Sequence, residues 1–148
     1  MSDNRGYYSH PTIHNDSIVF VSDDDLWSVS TSGGLAKRLT ANIGTASSPR
    51  FSPDGKRVAY LANDRGQLGL YVISADGGTP SHLIPFSISI LVGWKDNDTI
   101  VFSSALEQRF HPEIYEFDLR EKTFRKLDLG DAKYLYEGKA GVAILGRN

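Results

Sequence analysis

The 148-residue chain contains no cysteine, which excludes disulfide staples and thiolate chemistry. Long apolar runs are absent as well. Stretches such as Ile18-Val19-Phe20-Val21 fall far short of the ~18–20 residues a helix needs to span a bilayer, and no membrane association is expected. Neither sign of charge is in excess. Lys and Arg total 16 against 18 Asp and Glu, a net charge of -2, which offers no footprint for nucleic acid or an anionic surface. Met1-Ser2-Asp3-Asn4-Arg5 lacks the apolar segment of a secretory signal, so the expected compartment is the cytoplasm. No phosphate-cradling glycine loop or dinucleotide fingerprint is present, and no cofactor is expected. Hydrophobic residues make up 40% and charged residues 23%, a balance that argues for a folded globular chain over a disordered one.

Internal repetition decides the fold class. An apolar, β-rich segment recurs at Ser17-Ile18-Val19-Phe20-Val21, Arg57-Val58-Ala59-Tyr60-Leu61 and Thr99-Ile100-Val101-Phe102-Ser103. An apolar–aromatic pair follows each, at Leu26-Trp27, Leu70-Tyr71 and Ile114-Tyr115, and then a basic residue or His before Leu, at Arg38-Leu39, His82-Leu83 and Lys126-Leu127. Trp27, Tyr71 and Tyr115 are 44 residues apart at each step, as are Leu39, Leu83 and Leu127. Ile13, Phe51 and Trp94 anchor the strand that precedes each apolar segment.

Each block reads as four short strands, a to d; in the second block they are expected near 47–51, 57–63, 68–74 and 80–84. Ser52-Pro53-Asp54-Gly55 suits the a–b turn, with Pro pre-setting φ and Gly free to take a positive one. Asp76-Gly77-Gly78 and Gly33-Gly34 serve the c–d turns, while Lys95-Asp96-Asn97-Asp98 and Leu119-Arg120-Glu121-Lys122 are weaker versions in the third block. Asn15-Asp16-Ser17 and Asn97-Asp98-Thr99 match the glycosylation pattern but read as turns. No sustained 3.6-residue period predicts a helix longer than a turn. Strand b is apolar on successive residues and must be covered on both faces, which stacked sheets provide and a half-wet sandwich does not. The expected fold is therefore all-β: a β-propeller of four-stranded antiparallel blades.

The expected blades span about 10–42, 46–86 and 89–130, with the start of a fourth at about 132–148. Val142-Ala143-Ile144-Leu145 echoes Val58-Ala59-Tyr60-Leu61. About three and a half blades form an open arc, and the expectation is a segment of a longer protein.

Two stretches carry a family resemblance. Ser48-Pro49-Arg50-Phe51-Ser52-Pro53-Asp54-Gly55-Lys56-Arg57-Val58-Ala59-Tyr60, with Leu70-Tyr71-Val72 and Asp76-Gly77-Gly78, resembles the repeat of TolB-like and WD-like propellers. The stretch Gly6-Tyr7-Tyr8-Ser9-His10-Pro11-Thr12-Ile13-His14-Asn15-Asp16-Ser17-Ile18-Val19-Phe20, running into Asp24-Asp25-Leu26-Trp27-Ser28-Val29 and Gly33-Gly34, resembles the start of the tricorn protease family. That resemblance implies the first, six-bladed propeller of a serine peptidase whose catalytic residues lie in later domains, and which assembles as a homohexamer. It implies a non-catalytic segment that filters or channels peptide substrates to or from the active site, with the remaining domains of the same protease as partners. The alternative is a TolB-like module that binds a protein partner through its rim.

Catalytic, cofactor-binding and metal-binding residues are accordingly expected to be none within the chain. Ser, His and Asp all occur, but Ser47 and Ser48 precede Pro49 in a repeated strand, outside any Gly-x-Ser-x-Gly elbow. His10 and His14 are four apart, yet Pro11 and Thr12 make the segment extended, so the rings share no helical face. His82 reads as a strand-d position and His111 as a loop. Asp23-Asp24-Asp25 lacks the spacing of a calcium loop and reads as a solvated b–c turn facing a nearby Lys or Arg. Tyr7, Tyr8 and Trp27 suggest a peptide-stacking surface, but Trp27, Phe51, Trp94 and Tyr115 recur at fixed blade positions and are expected to pack between blades.

Overall fold

The computed structural model describes residues 8–41, 44–84, 86–106 and 112–128, together with the strand backbone of 134–137 and 143–146. Fourteen strands follow one another among these residues. The first sheet holds β1 (Ser9–His14), β2 (Ser17–Ser22), β3 (Asp25–Ser30) and β4 (Lys37–Arg38). The second holds β5 (Thr45–Phe51), β6 (Arg57–Asp64), β7 (Gln67–Ser74) and β8 (Ser81–Ile84). The third holds β9 (Ile90–Asp96), β10 (Thr99–Ser104), β11 (Glu113–Asp118) and β12 (Thr123–Lys126), and β13 (Tyr134–Glu137) pairs with β14 (Ala143–Gly146). Each sheet is an antiparallel meander in sequence order, and no helix occurs among the described residues.

Hairpin chemistry sets the register. In the a–b turn of the second sheet, Ser52 Oγ donates to Asp54 Oδ1 at 2.6 Å and accepts from the Arg57 N–H at 3.0 Å. Gly55 closes the turn at φ 72°, and a Cβ there would also stand 2.1 Å from the His14 ring. That ring reaches across from the first sheet, where its Nε2–H donates to the Pro53 carbonyl at 3.0 Å. The glycine thus serves both a left-handed turn and a close contact between sheets.

The doubly apolar strand b behaves as the sequence predicts. Val58, Tyr60 and Ala62 of β6 pack with Tyr71 and Ile73 against Val19, Val21, Leu26 and Leu39 of the first sheet. Ala59 and Leu61, on the opposite face, pack with Leu70, Val72 and Ile84 against Ile100, Phe102, Tyr115 and Phe117 of the third. The second sheet is dry on both sides, and burial of its alternating faces against two neighbours is what stacks the blades. A smaller cluster of Val101 and Ile114, with Val92 and Leu127 against it, occupies the far face of the third sheet.

The four aromatic anchors do not share one fate. Tyr115 is buried, while Phe51 and Trp94 are half-buried and pack against the two large clusters. Trp27 departs from the expectation: it is half-buried and joins no apolar cluster. Its register explains this. Tyr71 and Tyr115 face the preceding sheet, whereas Trp27, paired with Phe20, lies on the face of the first sheet turned away from the second. Ile13, the strand-a anchor of that sheet, lies there too, paired with Ile18 and 63% exposed.

Candidate functional site

The first strands of successive sheets converge: β1 lies against β5, β5 against β9, and β9 against β13. Strand a is therefore the inner edge of the arc, and strands β4, β8 and β12 form the opposite edge of each sheet. The inner strands β1, β5 and β9 each break register, whereas β13 pairs with β14 without a shift. In β1 the shift falls between Ser9 and Thr12, and in β5 between Ser47 and Arg50. The extra residues are His10-Pro11 and Ser48-Pro49, with His10 at φ 50° and Ser48 at φ 51°. In β9 the pairing skips Val92, beside Gly93 at φ 148°. A bulge bends a strand and re-aims its side chains, and left-handed non-glycine residues are costly to hold. The repeated residue-before-proline is the sequence signal for this feature, and periodicity alone did not register it.

The residues singled out from sequence are dispersed. His10 is exposed, with its Nδ1 3.2 Å from Ser9 Oγ, while His14 is taken up by Pro53 and the Phe51 ring. His82 lies on β8, where its Nε2–H donates to the Ile84 carbonyl at 2.9 Å. His111 and Tyr7 lie outside the described residues. No group of three or more metal-ligating side chains gathers among the described residues, and no hydrogen bond joins Ser47 or Ser48 to a histidine there. Tyr8 is 66% exposed and meets Phe20 edge-on at 5.2 Å.

The acidic triplet is corrected by the structure. Asp23 and Asp24 form an exposed turn at φ 48° and 66°, but Asp25 is only 5% exposed. Its carboxylate accepts from Arg38 Nε at 3.0 Å, from Arg38 Nη2, and from Thr40 Oγ1 at 2.7 Å, and Thr40 Oγ1 in turn accepts from the Leu26 N–H at 2.9 Å. Strand pairing of β3 with β4 carries the acid inward, which the linear triplet did not reveal. Two repeats later, Glu113 meets Lys126 at 3.3 Å in the same places, so the first and third blades share a c–d ion pair.

Grooves mark the seams between sheets at the end bearing the a–b and c–d turns. One of about 380 Å³ lies between Arg38, Leu39 and Thr40 of the first sheet and Gly78, Thr79 and Pro80 of the second. Its counterpart, about 360 Å³, lies between Val72, His82 and Leu83 of the second and Phe117, Leu119 and Lys122 of the third, with Arg57 at its side. Arg57 ties the seam together: it donates to Asp98 Oδ1 at 3.1 Å and to the Asn97 carbonyl, and its guanidinium carbon stands 5.6 Å from the centre of the Trp94 ring. The Trp94 indole N–H donates to the Arg50 carbonyl at 2.9 Å across the same seam. Hydrogen bonding from Arg57, reinforced by Arg120, holds the Asp98 carboxyl below its ordinary pKa.

Four-stranded meanders stacked face to face, converging on their first strands, define a β-propeller arc. Residues 5–148 match the family described as the tricorn protease N-terminal beta propeller domain, and the chain belongs to that family. It is 31% identical over 133 residues to a tricorn-like protease N-terminal subunit of Sulfurisphaera tokodaii, covering 85% of this chain and 68% of that one. It is 26% identical over 152 residues to the tricorn protease of Thermoplasma acidophilum, covering 94% of this chain and 14% of the protease. A crystal structure of the tricorn protease superposes with a TM-score of 0.78 at 23% identity, over 90% of this chain and 14% of that one. The chain thus spans a small part of the complete proteases it resembles. No helix among the described residues is long and apolar enough to cross a membrane.

Proposed function

We propose that this chain acts as the non-catalytic N-terminal propeller segment of a tricorn-like serine peptidase in the cytoplasm. It guides peptides to or from an active site carried on residues outside these 148, within a homo-oligomer built with the remaining domains. The observation that carries this reading is the inner edge of a tricorn-type propeller, lined by strands whose bulges repeat from sheet to sheet at His10-Pro11 and Ser48-Pro49. A ring of such edges sorts chains by size and polarity and performs no chemistry of its own. A free-standing interaction module of the TolB-like kind would need no peptidase, and the match over 5–148 favours the protease.

The test is made in the whole protease. Enlarging the inner edge with Ser48→Trp should slow hydrolysis of long fluorogenic peptides and leave tripeptides at the original rate. Equal slowing of both, or of neither, refutes the guiding role. The 148-residue chain alone should show no hydrolysis sensitive to a serine-directed inhibitor.

A further inference from the structure

The inner strands interrupt themselves at a conformational cost. Ser48 and Pro49 together stand opposite Tyr60, between the pairs Ser47–Leu61 and Arg50–Ala59. His10 and Pro11 likewise stand opposite Phe20, between Ser9–Val21 and Thr12–Val19. In each case a left-handed non-glycine residue precedes a proline, which supplies no N–H. Pro49 is fully buried, so packing holds the bulge of β5 in place. Other polar groups of that strand are committed to neighbours. The Ala46 N–H donates to the Asp24 carbonyl of the first sheet at 2.8 Å, and the Phe51 N–H to Thr12 Oγ1 of β1 at 3.5 Å. The Pro49 carbonyl accepts from Arg50 Nη1 at 3.0 Å, and the Arg50 carbonyl from the Trp94 indole of β9 at 2.9 Å. An ordinary edge strand presents a regular row of free N–H and C=O groups with which an extended chain can pair. The inner edge of β5 presents no such row: its donors at 46 and 51 are taken by the first sheet, and position 49 has none.

We propose that the inner edge formed by β1 and β5 is closed to strand pairing, so that an extended polypeptide passes along it without adding a strand to the sheet. This deepens the guiding role proposed above and rests on it for the presence of a peptide. A passage lined by open strand edges would grip any extended chain through its main chain, whatever its sequence, and let it go slowly. With the ladder broken at 10–11 and 48–49, a straight chain stays in step with the edge only over a short stretch on either side of each bulge. Main-chain pairing is thereby excluded, and side chains alone decide what passes.

The test is made in the whole protease, its nucleophile blocked by a serine-directed inhibitor, with hydrogen exchange read over residues 44–52. Two probes are compared: N-acetyl-Lys-Thr-Val-Thr-Val-Lys-amide, and the same peptide methylated on every main-chain nitrogen, which cannot join a ladder. Neither should slow exchange over 44–52 in the native protein. Deleting Ser48 together with Pro49→Val leaves one residue opposite Tyr60 and straightens β5, and Thr12→Val frees the Phe51 N–H. In that combined variant the first probe should slow exchange at least tenfold and the methylated one should not. A melting curve confirms that the variant is folded. Slowing of the native protein by the first probe alone overturns the proposal, as does a folded, straightened variant that stays indifferent to it. Where the deletion unfolds the blade, the native protein's response to the two probes decides. Strand pairing at the native edge would leave the length dependence measured with Ser48→Trp untouched, so the two readings fail separately.

Discussion

The imidazole of His82 lies flat on the phenol of Tyr71, with ring centroids 4.3 Å apart and planes 5° apart. Tyr71 stacks in turn on Tyr60 at 5.6 Å. Gly69 makes room for the outer ring: a Cβ there would stand 2.7 Å from His82 Nε2 and 3.2 Å from the Ile84 carbonyl oxygen. The same repeat position holds Asp25 in the first blade and Glu113 in the third, and the position of His82 holds Arg38 and Lys126. The second blade has exchanged an ion pair for an aromatic stack. Gly69→Ala should therefore displace His82 and cost about 1–2 kcal/mol, the worth of one hydrogen bond and one ring contact. Chemical denaturation of G69A, H82A and the double variant measures it. The two single costs should overlap strongly, and simple additivity would refute the coupling.

Asp25 anchors strand d of the first blade. Asp25→Ala leaves the Thr40 hydroxyl and the Arg38 guanidinium without their acceptor, and a loss of about 2–3 kcal/mol is expected. Arg38 is half exposed and can turn to water, which keeps the cost below that of breaking a fully buried pair. Arg38→Ala should accordingly cost less than Asp25→Ala, and urea midpoints of the two variants decide the order.

Core aromatics should separate by which sheet covers them. Phe102, fully buried between the second and third sheets, should lose about 3–5 kcal/mol on truncation to Ala. Trp27→Ala should lose distinctly less despite the larger side chain, because its ring joins no apolar cluster. A Trp27 cost equal to that of Phe102 would show that the outer face of the first sheet is covered in solution.

Acid should loosen the seam between the second and third sheets. The Asp98 pKa is lowered chiefly by its hydrogen bond from Arg57, with Arg120 adding attraction and partial desolvation opposing both. A carboxyl depressed in the folded state contributes stability above its unfolded value of roughly 4, and that contribution is lost as pH falls through the folded value. Asp98→Asn should flatten the acid limb of the stability profile below about pH 4, and an unchanged acid limb would count against this seam.

The bulge before Pro49 can be tested by substitution at a left-handed site. Ser48→Gly should be neutral or slightly stabilising, whereas Ser48→Val should cost about 1–2 kcal/mol, since a β-branched residue resists φ near 51°. Equal stability of the two variants would show that the bulge is not a constraint on the inner strand.

Much of this molecule was determined locally. The 44-residue step, the turn residues at Ser52-Pro53-Asp54-Gly55 and the unbroken apolar run Val58–Ala62 specify four-stranded sheets dry on both faces, because backbone pairing and side-chain alternation are short-range consequences of residue order. What the chain's order could not convey is which copy of a repeated residue finds a neighbour. Trp27 and Tyr71 share one repeat position, yet only Tyr71 has a sheet packed on its face. Asp25 reads as one of three acids in a turn, yet pairing of β3 with β4 buries it against Arg38 and Thr40. The seam groove between the second and third sheets brings His82 and Leu83 beside Phe117, Leu119 and Lys122, residues far apart in the sequence. Burial and charge pairing depend on what lies across the gap between sheets, and only the stacking of the blades supplies that.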